Sequence, residues 1–243
     1  MKKSKEKIIE KYRILLNLFE NYREENIRCL AIISNSNLEG KEVVAKNIAM
    51  VLAKSGRKTL FIDCSLSKNS RTKYNNSDNA RGFVSVVEAI SGSRINGLEI
   101  KNCIEKTESD YLSVLELGTN NLEKYSPILK KEYLKRTIDV LKQGFDCIVV
   151  DAPSFENLSF TQIITSAADG CMFVLKDKVN ELNEARNIKE KLNTMGCKVL
   201  GCILEKEKKP TKLFKDKYND FFRTDNKTKK IVESANSSVS PNI

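Results

Sequence analysis

The chain has 243 residues, 40% of them apolar and 30% charged, with a formal net charge of +10. That length and balance suit one sizeable globular core, no apolar run approaches the roughly 20 residues of a membrane span, and the N-terminal stretch lacks a signal-peptide apolar region, so the expected location is the cytoplasm. The seven cysteines form no C-x-x-C pair and histidine is absent, which excludes Ser-His and Cys-His nucleophiles and histidine-ligated zinc and leaves the cysteines as small packing residues.

Taken in chain order, residues 4–25 place Ile8, Ile9, Tyr12, Leu15, Leu16, Phe19 and Tyr22 at helical spacing among charges, which predicts a long amphipathic helix. A unit then recurs. The apolar run 29–33 leads through a polar loop into a helix predicted over 41–55. Gly56 closes that helix, and a second apolar run, 59–62, finishes at Asp63. A helix over 133–143 ends at Gly144 before the run 147–150 and Asp151, and a helix over 182–195 ends at Gly196 before the run 199–204. Each glycine is expected to be the left-handed cap of its helix. Two further strands fit at 112–117 and 171–175. Apolar strands alternating with helices predict a three-layer α/β fold, its sheet mostly parallel, buried on both faces and joined by right-handed crossovers. Residues 1–205 are expected to form this domain and 206–243 a basic, partly disordered tail, where ten Lys/Arg stand against five Asp/Glu. Such a tail suits an anionic partner rather than a folded core.

In parallel α/β folds ligands gather at the carboxyl ends of the strands. There the first run opens into Ser34, Asn35, Ser36, Asn37, Leu38, Glu39, Gly40, Lys41, Glu42 and Val43. This is the position of a phosphate loop, whose backbone N–H groups and following helix N-terminus face an anion. Gly40-Lys41 matches the paired residues of G-x-x-x-x-G-K-[ST]. Asn35 stands at the first glycine, and Glu42 replaces the hydroxyl that would meet magnesium. Two unit charges about 4 Å apart repel by about 4 kcal/mol at an effective dielectric of 20, so Glu42 disfavours a bound phosphate unless it binds a metal itself or pairs with Lys41 to close the loop. Asp63 and Asp151, each ending an apolar run, are the expected magnesium- or water-positioning carboxylates, and with Lys41 the candidate catalytic residues.

With those residues in place, the chain resembles the bacterial tyrosine autokinases of capsule and exopolysaccharide synthesis, relatives of the division-site and chromosome-partition P-loop ATPases of the deviant-Walker type. The likeness runs from about residue 10 to residue 204. Residues 10–13, from Glu10 to Arg13, resemble the family's E-x-x-R helix; residues 37–43 align with P-G-E-G-K-S-T and keep Glu39, Gly40 and Lys41. Residues 60–66 resemble L-L-I-D-A-D-L, keeping Asp63 and replacing the second aspartate by Ser65. The segment 82–92 resembles G-L-x-x-x-L-x-G, residues 115–118 with Ser126 and Pro127 resemble the L-P-A-G and N-P stretch, and 145–153 is close to Y-D-x-I-I-I-D-T-P-P, with Ser154 at the last proline. Ala168-Asp169-Gly170 and 199–201 match A-D-G and V-L-G. Matches fall on packing and turns, and the departures, at Asn37, Leu38, Glu42, Ser65 and Ser154, on chemistry.

The resemblance implies ATP and magnesium held by residues 36–43, Asp63 and Asp151. It implies subunit association through Glu10 and Arg13, and partnership with a membrane-embedded polysaccharide co-polymerase or a related kinase subunit, at the inner face of the cell membrane and without nucleic acid. Where such kinases end in a tyrosine cluster, this tail holds only Tyr218 as a phosphate acceptor. Phe214, Tyr218, Phe221 and Phe222 recur at helical spacing among lysines, a pattern suited to an anionic membrane surface or a partner. Three functions follow. The first is a catalytically impaired relative acting through partner contacts in polysaccharide export, the second an active ATP-dependent tyrosine autokinase, and the third a positioning-type ATPase cycling on the membrane.

Overall fold

A computed structural model describes residue 17 and residues 26–34, 39–65, 81–92, 97–118, 122–154, 158–176, 179–194 and 196–205. Apart from Asn17, which is helical, the predicted helix over 4–25 with Glu10 and Arg13, the loop residues Asn35, Ser36, Asn37 and Leu38, and the tail with Tyr218 lie outside the described residues. In chain order the elements are β1 Cys29–Ser34, α1 Glu39–Lys54, β2 Thr59–Asp63, α2 Phe83–Ser91, α3 Gly97–Cys103, β3 Glu105–Lys106, β4 Leu112–Glu116, α4 Leu122–Tyr125, α5 Lys131–Leu141, β5 Cys147–Asp151, α6 Leu158–Ala167, β6 Gly170–Lys176, α7 Val179–Thr194 and β7 Val199–Glu205.

The seven strands form one sheet in the order β3-β4-β2-β5-β1-β6-β7. Every pairing is parallel except β3 against β4. The continuous apolar runs mark the centre: β1 and β5 are buried at every residue. Their side chains alternate between two layers, as the strand period of two requires. Leu30, Ile32, Phe61 and Val149 meet α1 through Ala45, Ile48, Ala49 and Leu52, the small alanines letting that helix lie close to the sheet. Cys29, Ala31, Ile33, Leu60, Ile62, Ile148 and Val150 pack on the other face with residues of α2, α5, α6 and α7, among them Val87, Leu134, Ile164 and Leu192.

The cysteines mostly belong to this packing. Cys29, Cys64, Cys147, Cys171 and Cys197 are buried and all seven are free, while Cys202 is exposed on β7 and departs from the packing expectation. Burial pushes the thiols of Cys29 and Cys171 up to about 12, which keeps them protonated and inert. Gly56 and Gly196 adopt φ of 83° and 73° as expected of left-handed caps. Gly144 does not: α5 ends one turn earlier, at Leu141, in a tight turn where the Gly144 N–H donates to the Leu141 carbonyl.

Two glycines from separate motifs meet. A Cβ on Gly82 would stand 2.4 Å from Gly118 Cα and 2.6 Å from both Gly118 N and Glu116 O. The Val84 N–H donates to the Leu117 carbonyl at 3.1 Å, fastening the start of α2 to the end of β4. All three obstacles are backbone, so no rotamer change relieves them. Gly82→Ala is therefore expected to destabilise the chain by about 3 kcal/mol, read as a lowered urea midpoint with unchanged m-value.

Candidate functional site

The register of the sheet assembles the site. Asp63 and Asp151 are direct partners across β2 and β5, and Ile32 of β1 stands opposite Asp151 on the other side. β1 ends two residues later at Ser34, and α1 begins at Glu39, so its first turn opens at the same sheet edge. The strand-ending aspartates and the Gly40-Lys41 pair thus converge as the spacing predicts.

Lys41 is the centre of that convergence. It is buried, 4% exposed, and its ammonium is ion-paired with Asp151 Oδ1, on a residue with no exposure at all. It also donates to the Ala152 carbonyl at 2.5 Å. Burial disfavours the charged carboxylate of Asp151 more than the Lys41 ammonium favours it, and the neighbouring Asp63 adds repulsion, so its carboxyl is pushed up to about 7. Its second oxygen, Oδ2, is buried without a hydrogen-bond partner, and so is Ser154 Oγ. Two such atoms at the end of β5 leave acceptor capacity that water or a ligand can use.

Glu42 pairs neither with Lys41 nor with another group at the strand ends. Its carboxylate is ion-paired with Lys46, one turn along α1. Of the alternatives the sequence left open for Glu42, a loop-closing pair with Lys41 is not the one formed: the lysine goes to Asp151, 110 residues away, and the glutamate to its i,i+4 neighbour. Geometry decides this, since adjacent residues on a helix point about 100° apart while residues four apart share a face. Ser65, at the second aspartate of the pattern, turns back on Asp63, donating to Oδ1 from its N–H at 3.0 Å and from Oγ at 2.7 Å. No group of three or more Cys, Asp or Glu side chains able to hold a metal occurs among the described residues. Asp63 and Asp151 alone would be the protein's carboxylate contribution to a magnesium ion, a number usual for that metal when phosphates and water complete the shell.

Neighbouring motif residues have structural duties. Thr161 Oγ1 of α6 donates to the carbonyls of Pro153, at 3.2 Å, and Ser154, at 2.9 Å, pinning the segment that leaves β5. Asp169 is absent from the site. Its Oδ2 accepts the N–H groups of Arg28 at 2.9 Å and Cys29 at 2.8 Å, where β1 begins, and its Oδ1 accepts Lys142 Nζ at 2.6 Å. Burial opposes its ionisation, but these three donors outweigh it and hold the carboxyl below the ordinary aspartate value. Arg28, which the sequence reading passed over, completes this anchor by donating to the carbonyls of Lys142, Phe145 and Asp146. An arginine just before a buried strand is the only signal that could have suggested it.

A model of the AAA domain family matches residues 27–196. The chain is 27% identical over 203 residues to tyrosine-protein kinase YwqD of Bacillus subtilis, covering 82% of this chain and 81% of that protein. It is 28% identical over 206 residues to tyrosine-protein kinase CpsD of Streptococcus agalactiae, covering 83% and 85%. Among solved structures, the BceF tyrosine kinase domain superposes with a TM-score of 0.62 at 19% identity, over 79% of this chain and 74% of that one. These relatives bear out the resemblance drawn from the motifs, and the structural likeness bears out the fold.

Proposed function

The chain belongs to the AAA domain family, and we propose that within it this protein is a catalytically impaired, regulatory relative of the capsule and exopolysaccharide tyrosine kinases. In this reading it acts by contact with the partners of a polysaccharide-export assembly, a membrane co-polymerase or a related kinase subunit. The observation that carries it is the state of the loop helix: Lys41 is buried on Asp151, and the next side chain is a carboxylate paired to Lys46. Gly40 and Lys41 suit a phosphate, and the free Oδ2 of Asp151 suits a cation or its water. As a set the residues do not fit a magnesium-bound triphosphate, because the hydroxyl that would join metal to loop is replaced by Glu42 at the place where negative charge accumulates. Withdrawing Lys41 toward a phosphate would also leave a fully buried aspartate uncompensated. Lys41, Asp63 and Asp151 then serve as a structural charge cluster.

The full-length protein incubated with ATP and magnesium is expected to carry no phosphotyrosine, at Tyr218 or elsewhere, by intact mass and phosphopeptide mapping. Phosphate on Tyr218 that disappears in Lys41→Met would establish the active autokinase instead. Saturating nucleotide is likewise expected to leave the melting temperature unmoved, although a ligand at 100 times its dissociation constant would add about 2.7 kcal/mol of stability.

A further inference from the structure

Helices α2 and α3 pack side by side without closing on each other. Ser85 and Ala89, one turn apart on α2, face α3 with side chains too short to fill the gap, and a cavity of about 260 Å³ lies between the helices. Buried Val86 and Ile100 form its floor, the half-buried Cys103 its wall, and the exposed Arg81 and Asn102 its mouth. That volume is below the roughly 300–1,000 Å³ of pockets for drug-sized ligands. At about 30 Å³ for each water in the liquid it has room for about nine, hence for a ligand of about ten non-hydrogen atoms.

The lining carries a single charge. Among the described residues around the cavity, Arg81 alone is ionised. Neither its guanidinium nor the Asn102 carboxamide has an ion-pair or hydrogen-bond partner among the described residues. A guanidinium stays charged and presents a planar fork that matches a carboxylate at two points. One cation balances one negative charge, whereas a phosphate dianion would keep a second, uncompensated, against an apolar floor. The wall that carries Arg81 is also fixed before any ligand arrives. Gly82, next in the chain, abuts Gly118, and the Val84 N–H donates to the Leu117 carbonyl at 3.1 Å. A site held in place in advance loses less on binding.

We propose that the cavity between α2 and α3 binds a small organic monocarboxylate, its apolar body against Val86, Ala89 and Ile100 and its carboxylate on Arg81 and Asn102. Covering the floor removes apolar surface from water, and the guanidinium sets which end of the ligand faces outward. Lys41, Asp63 and Asp151 do not line this cavity. Binding there is therefore separate from nucleotide at the loop, and its test contains none.

The test is alkylation of the full chain by iodoacetamide, followed cysteine by cysteine by mass spectrometry, with benzoate as the probe. At about ten times its dissociation constant benzoate is expected to slow Cys103 about tenfold, while the exposed Cys202 on β7 keeps its rate. Half-protection is expected near about 1 mM, ordinary for a ligand of about nine non-hydrogen atoms. Benzyl alcohol on the parent, and benzoate on Arg81→Gln, are each expected to need at least about tenfold more ligand. Ala89→Leu fills the cavity and is expected to abolish protection, and melting curves check that both variants are folded. Equal protection by benzyl alcohol, an unchanged midpoint in Arg81→Gln, or tighter protection by phenyl phosphate would overturn the carboxylate assignment. No protection at about 10 mM benzoate, protection that survives Ala89→Leu, or equal slowing of Cys103 and Cys202 would overturn the site itself.

Discussion

Lys41→Met is expected to destabilise the folded chain by about 3–5 kcal/mol at pH 8 and by clearly less at pH 5.5. Removing one member of a buried ion pair strands the other, which must either stay charged without solvent or take up a proton, and the loss is of that size. Here the survivor is Asp151, with no exposure. The sign of the pH dependence follows from its carboxyl, already pushed by burial from an ordinary 3.8 to about 7 in the fold. Between those values the folded chain holds a proton that the unfolded chain has released. The contribution of Asp151 is therefore most favourable below about pH 4, declines as pH rises toward 7, and is flat above. Without the Lys41 ammonium the folded carboxyl rises further and the decline continues past neutrality, so the gap between parent and variant widens with pH. Urea midpoints at the two pH values measure it. A loss under about 1 kcal/mol at pH 8 would show that the pair is not buried as described. Adding Asp151→Asn is expected to recover much of the loss, since a neutral amide replaces the stranded charge.

Glu42→Thr, combined with Asn37→Pro and Leu38→Gly, is expected to raise affinity for ADP–magnesium by at least about tenfold. Repulsion of about 4 kcal/mol at 4 Å and an effective dielectric of 20 sets the upper limit, several hundredfold. Two features reduce it. Glu42 is 28% exposed, so solvent screens it, and Lys46 shares its charge. The lost i,i+4 pair costs only a few tenths of a kcal/mol in helix stability, so the change in affinity should not be confused with unfolding. Calorimetric titration of parent and variant decides the matter. Tight binding by the parent would remove the impairment from the proposed function. No gain in the variant would point to the sequestered Lys41, rather than Glu42, as the obstacle.

The amino-acid sequence by itself determined the architecture of the central sheet. Apolar runs at 29–33, 59–62 and 147–150, with Asp63 and Asp151 closing two of them, hold a two-face pattern that only a covered parallel strand satisfies, and β1, β2 and β5 follow it. The helix expected from Lys41, which begins at Glu39, and the capping duty of Gly56 and Gly196 were equally legible, because each depends on neighbours in the chain. Helices α2 and α6 were not legible. Phe83–Ser91 and Leu158–Ala167 are rich in valine, isoleucine, threonine and serine, weak helix formers, and packing against the sheet and α5 outweighs that propensity. Tertiary structure alone decided the partners at the site. That Lys41 joins Asp151, that Ser65 turns onto Asp63, and that Gly82 abuts Gly118 all follow from which strand lies beside which and in what register. Local sequence carries no record of that register, because a parallel pairing is fixed by the crossovers and by the burial of the whole sheet rather than by any residue's own neighbours.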